Sequence, residues 1–114
     1  MYTYKISNID RVVDGDTVDV TIDLGFKIHT KQRVRMYGIN TPETRTRDKE
    51  EKKRGLASKE RLIQLLDTPE DIILISHGVG KFGRVLGELK IKDVSVNDTL
   101  VNEGHAVKYF GGSR

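Results

Sequence analysis

The chain has no cysteine, which excludes disulfide bonds and thiolate metal sites but selects no compartment, since a cysteine-free domain works on either side of a membrane. It has no run of about eighteen apolar residues, so no segment reads as a membrane-spanning helix. The opening MYTYKISNIDRVV lacks the apolar stretch and small-residue cleavage site of a secretory signal. As written, the protein is expected in the cytoplasm, with secretion left open should a leader have been removed before this numbering. Internal repeats, low-complexity tracts and interdomain linkers are also missing. The three histidines, His29, His77 and His105, lack metal-ligand spacing and read as surface or structural residues.

What remains is a chain of 114 residues, read as one domain over 1–114 with a single modest core. Hydrophobic residues make up 36% and charged residues 32%, a balance that suits a folding, soluble domain with a small core. The net charge of +3 is unevenly placed. Eight Lys or Arg face four Asp or Glu between Arg45 and Arg61, a local balance of +4 that leaves −1 for the rest. That segment reads either as a solvated loop and helix face or as a mobile basic arm that attracts a polyanion.

Periodicity predicts five main strands. In DTVDVTIDLG, Val18, Val20, Ile22 and Leu24 alternate with Asp19, Thr21 and Asp23, and Gly25 turns the chain. From Lys27 the alternation resumes, with Ile28, Thr30, Gln32, Val34 and Met36 opposite His29, Lys31, Arg33 and Arg35, so Arg33 and Arg35 share a face. YKISNIDRVV, DIILISHG and RVLGELKI supply the other three. LASKERLIQLLD reads as a helix with Leu56, Leu62, Ile63 and Leu66 on its apolar stripe, ending before TPED. SVNDTLVNEG reads as a second, with Ser95 as N-cap, Val96, Leu100 and Val101 apolar, and Gly104 as the stop. The order is three strands, a helix, two strands and a helix. It fits a mainly β chain with two or three helices, of the α+β class, folded as a five-stranded OB-type Greek-key barrel.

The stretch VRMYGINTPET, residues 34–44, carries more than a turn needs. Gly, Asn and Pro serve the backbone, but Arg35 and Glu43 do not. Arg35 on a strand and Arg84 after a Gly-containing loop each present a planar fork of N–H donors suited to phosphate oxygens, which a lysine lacks. Asp16, in the tight DGDT turn, and the Asn40–Thr41 turn offer hard oxygen donors suited to Ca²⁺.

VDGDTV at 13–18, RMYGINTPET at 35–44, GKFGR at 80–84 and VNDTLVNEGHA at 96–106 together resemble the successive signature blocks of the staphylococcal nuclease (thermonuclease) family. The blocks fall in family order with family-like spacing and, with the strands between them, cover nearly the whole chain. The resemblance implies an OB-fold and Ca²⁺-dependent phosphodiester hydrolysis of DNA and RNA, leaving 3′-phosphate ends. It implies Arg35, Glu43 and Arg84 as catalytic, with Glu43 either a base or a water-positioning group. Asp16, Asn40 and Thr41 become the metal ligands, Thr41 through its backbone carbonyl. Asn40 departs from the family, many members of which have Asp there, and removes one negative charge. Asp14 is either a turn and hydrogen-bonding residue or a metal neighbour. Lys81, Phe82 and Tyr109 are implied substrate contacts, although Phe82 lacks the phenol of the family pattern. Tyr109 and Phe110 compete for the aromatic position at the base pocket, and a core role stays open for Phe82 and Phe110. The expected partner is single-stranded or denatured DNA or RNA, and the expected state a monomer. The chain ends at YFGGSR, without the C-terminal helix that many members add, so either the barrel packs without it or the chain is truncated. The competing function is a catalytically silent OB-fold module that binds single-stranded nucleic acid or a protein partner. The retained Arg and Glu set favours the enzyme.

Overall fold

The structure is a computed structural model in which residues 2–110 are described. The elements are β1 (Tyr2–Asp14), β2 (Thr17–Asp23), β3 (His29–Met36), β4 (Ile39–Asn40), α1 (Lys49–Leu66), β5 (Ile72–Val79), β6 (Val85–Ile91), β7 (Val94–Ser95), α2 (Val96–Asn102) and β8 (Val107–Lys108). A single 3₁₀ turn, Lys81–Gly83, separates β5 from β6. The large sheet runs β3-β2-β1-β5-β6-β7, and a parallel pairing of β3 with β6 closes five of its strands into the expected barrel. Long β1 is the hinge of this closure. Its first residues pair with β5 and its later ones with β2, and three register shifts against β2 let it bend from one neighbour to the other.

Alternation places the core where the sequence expects it. Val18, Val20 and Ile22 from β2 and Val34 and Met36 from β3 are buried against Leu74, Leu89, Leu62 and Leu100. The apolar pattern fails at the β2–β3 tip, where Leu24 and Ile28 are exposed. Positive φ at Gly25, Phe26 and Lys27 turns the chain there, so β3 starts at His29 rather than Lys27, beyond the reach of the core.

Helix α1 begins seven residues before the predicted LASKERLIQLLD segment, with Asp48 accepting hydrogen bonds from the Glu50 and Glu51 N–H groups as N-cap. The early start takes much of the Arg45–Arg61 segment into the helix, and Lys49, Lys52 and Lys53 are exposed on it. Its buried face also corrects the expected stripe. Gly55, Ser58, Leu62 and Leu66 face the barrel, whereas Leu56 and Ile63 are exposed. The helix approaches too closely for large side chains at Gly55 and Ser58, a constraint invisible to a search for apolar spacing. Helix α2 has Ser95 as its N-cap and ends before Gly104, which takes φ +80°. Among the described residues no helix is long and apolar enough to cross a membrane.

Candidate functional site

Barrel closure brings the two arginines together. The parallel register sets Val34 beside Val85 and Arg35 beside Leu86, so Arg84 leaves its loop next to the end of β3. Arg35, Lys81, Arg84 and Tyr109 line one cleft of about 440 Å³. The Arg84 Nε is buried with no hydrogen-bond partner among the described residues, and its guanidinium carbon lies 5.9 Å from the centroid of the Phe82 ring. Arg84 also forms no ion pair among those residues. A buried cationic donor without a protein acceptor suits an anionic ligand.

Arg35 is held on three sides. Its Nη1 donates to the Met36 carbonyl at 2.9 Å, and its Nη2 donates to Asn40 Oδ1 at 3.0 Å and lies 3.5 Å from Asp16 Oδ2. Asp16 is fixed in turn: its Oδ1 accepts the Thr17 hydroxyl, its Oδ2 accepts the Thr41 N–H at 3.1 Å, and its carbonyl accepts the Met36 N–H at 2.8 Å. The side-chain oxygens of Asp16 and Asn40 therefore converge on one cationic nitrogen, with the Thr41 backbone against Asp16. The Asp16 carboxylate and the Asn40 amide oxygen are hard donors of the kind Ca²⁺ takes, with little charge to hold it. No group of three His, Cys, Asp or Glu that could hold a metal occurs among the described residues. Asp14 is occupied otherwise, accepting a hydrogen bond from the Thr44 hydroxyl.

Glu43 is exposed and does not line this cleft. Its N–H donates to Glu51 Oε2 at 3.0 Å, which ties the loop after Pro42 to α1. The same loop explains Gly55: a Cβ there would stand 2.6 Å from the Glu43 carbonyl oxygen and 2.7 Å from that of Pro42. On the next turn of the helix, Ser58 packs against Gly15 in the turn that carries Asp16, and donates to the His105 carbonyl at 2.7 Å. Thus α1 braces both loops of the site.

The aromatic residues divide. Tyr109 donates its N–H to the Gly38 carbonyl beside the β4–β8 pair and lines the cleft, and Phe110 lines it as well, lying over Gly38. Exposure of 90% for Phe82 and 72% for Phe110 overturns the core reading of both, and Phe82 is not part of the cleft wall. Sequence reasoning missed Tyr37, whose ring stacks on His77 at 4.1 Å and meets Phe110 edge-on at 5.8 Å. It also missed buried Asn97, which accepts from the Leu89 N–H and donates to the Tyr37 and Gly87 carbonyls. The signal was available: Asn97 stands three residues before Leu100 and hence on the same buried face.

Comparison with known proteins adds one match. A family model described as staphylococcal nuclease homologue matches residues 33–114, starting inside β3 and leaving out the turn that carries Asp16. No curated protein gives a significant match.

Proposed function

The chain belongs to the staphylococcal nuclease homologue family, and on that premise we propose that it is a Ca²⁺-dependent phosphodiesterase that cuts single-stranded or denatured DNA and RNA, leaving 3′-phosphate ends. The observation that carries this reading is the cleft in which Arg35, Lys81, Arg84 and Tyr109 meet, with Arg35 also touching Asn40 and Asp16. Three cations beside an aromatic ring suit a phosphodiester flanked by a base.

In the proposed reaction Arg35 and Arg84 grip the non-bridging oxygens of the scissile phosphate and offset the charge that builds there as a water oxygen attacks phosphorus. The phosphorus–oxygen bond to the departing sugar breaks, and that oxygen takes a proton from solvent or a neighbouring donor. Glu43 stands outside the cleft wall and must turn toward Arg35 and Arg84 to orient the attacking water and accept its proton. Asp16 and Asn40 through their side chains and Thr41 through its carbonyl would hold Ca²⁺, which when bound supplies further positive charge to the phosphate. Lys81 steadies the adjacent phosphate, and Tyr109 stacks on the base.

The test is cleavage of denatured DNA and of RNA across a range of Ca²⁺ concentrations at neutral and alkaline pH, with and without a chelator. Cleavage that the chelator abolishes is expected, and Arg35→Lys should lower kcat by about 100-fold or more, the scale for removing one preorganised donor at a developing charge. Binding without cleavage at every Ca²⁺ concentration would replace this reading with a silent nucleic-acid-binding module.

A further inference from the structure

We infer that the groove on the other side of Tyr109 is a second nucleotide subsite, which takes the nucleotide across the scissile phosphate from the Arg35–Arg84 cleft. The inference rests on the proposed function, since it takes the phosphate to lie at those two arginines. The groove has a volume of about 640 Å³ and is walled by α1 on one side and residues 104–107 on the other. Tyr109 lines both depressions, and Asn40 and Thr41, which line the groove, are the residues that touch Arg35 and Asp16. The groove thus shares Tyr109 with the first cleft and borders the residues that hold Arg35, the side on which a polymer bound there would continue.

The lining matches one unpaired nucleotide. Its volume falls within the roughly 300–1,000 Å³ of small-molecule sites. Pro42, Val107 and the ring of Tyr109 supply apolar and aromatic surface against which a base stacks. Arg54 supplies the cation: it is exposed, lines the groove, and forms no ion pair among the described residues. Glu51, the carboxylate of the groove, directs one oxygen at the Glu43 N–H. Lys49, Lys52 and Lys53 stand exposed on the same half of α1, interspersed with Glu50 and Glu51. A base stacked between its neighbours in a duplex has no free face to offer such a wall, so the groove favours single strands.

The probes are thymidine 5′-monophosphate and a phosphorothioate tetrathymidylate, with affinities measured in Ca²⁺ for the wild type, Arg54→Gln and Val107→Glu. Glutamine keeps the helix propensity of α1, and Val107 is an exposed strand residue where a carboxylate repels the phosphate backbone without entering the core. The wild type should bind the tetranucleotide more tightly than the mononucleotide. Each variant should weaken the tetranucleotide by about tenfold, the scale of one charge-assisted contact, and leave the mononucleotide within about twofold. Equal weakening of both probes, no weakening of either, or no gain on lengthening would overturn the subsite. Ordinary tetrathymidylate is assayed for cleavage in parallel. Variant-sensitive binding without cleavage would sink the nuclease reading and keep the groove, whereas cleavage with variant-insensitive binding would do the reverse.

Discussion

Arg35 spends its hydrogen bonds on its own surroundings, and this sets what each neighbour contributes. Its Nη2 sits between Asn40 Oδ1 and Asp16 Oδ2, so the groups proposed to hold Ca²⁺ already share a positive charge. With one carboxylate in the set, Ca²⁺ affinity is expected to be weak, at a dissociation constant of about 10⁻⁴–10⁻³ M. Asn40→Asp restores a full charge and should tighten it on the order of tenfold, read by calorimetric Ca²⁺ titration and by the Ca²⁺ concentration giving half-maximal cleavage. An unchanged titration in a folded variant would make Asn40 a turn residue and not a ligand. Arg33 has the opposite character: although it shares a face with Arg35, it is paired with Asp19 and takes no part in the cleft.

At the scale of elements, α1 acts as a brace whose value lies in how near it comes. Alanine at Gly55 gains about 1 kcal/mol of helix propensity. The new methyl meets two backbone carbonyls, which cannot swing aside as a side chain does, and such overpacking costs about 1–3 kcal/mol. The clash should win, so Gly55→Ala is expected to lower stability in denaturant unfolding and to displace the loop carrying Glu43, reducing cleavage further than the loss of folded protein accounts for. A stabilised variant would mean that the helix does not fix that loop. Between β2 and β3, the directly opposed Asp19 and Arg33 make a two-pronged ion pair, and the hydrogen bond from Arg33 holds the Asp19 carboxyl below its ordinary pKa. Because folding lowers that pKa, the stabilisation is fully present above the unfolded-state value and disappears as pH falls through the folded-state value. A double-mutant cycle with Asp19→Asn and Arg33→Gln should give a coupling of about 0.2–1 kcal/mol at neutral pH that vanishes in acid. A coupling that survives full protonation would assign it to packing.

For the whole molecule, the sheet, the second helix and the rim of the cleft are joined through Asn97. Its side chain serves one N–H and two carbonyls in β6 and the β3–β4 turn, all from a residue 3% exposed. Asn97→Ala takes the side-chain partner from the Leu89 N–H and the Tyr37 carbonyl, while the Gly87 carbonyl keeps the Tyr37 N–H, and should cost about 1–3 kcal/mol in thermal or denaturant unfolding. A change below about 0.5 kcal/mol would indicate that water replaces the amide.

Local pattern alone determined the five main strands, the presence of two helices, the Ser95 cap and the α+β class, because period-two alternation and capping are properties of a few consecutive residues. Arg35 was visible as chemistry in excess of what a turn requires, and Arg84 as a second fork of donors after a Gly-containing loop. Their meeting was decided only by tertiary structure. Arg35 and Arg84 lie in separate strand regions of the chain, and only the parallel closure of β3 on β6 sets them in one cleft. The buried face of α1 was decided the same way: Gly55 and Ser58 matter for the atoms they lack, and a missing atom has meaning only once another part of the chain occupies the space. Periodicity measures how a segment divides between water and an apolar interior, and it carries no information about which distant segment forms that interior or how closely it approaches.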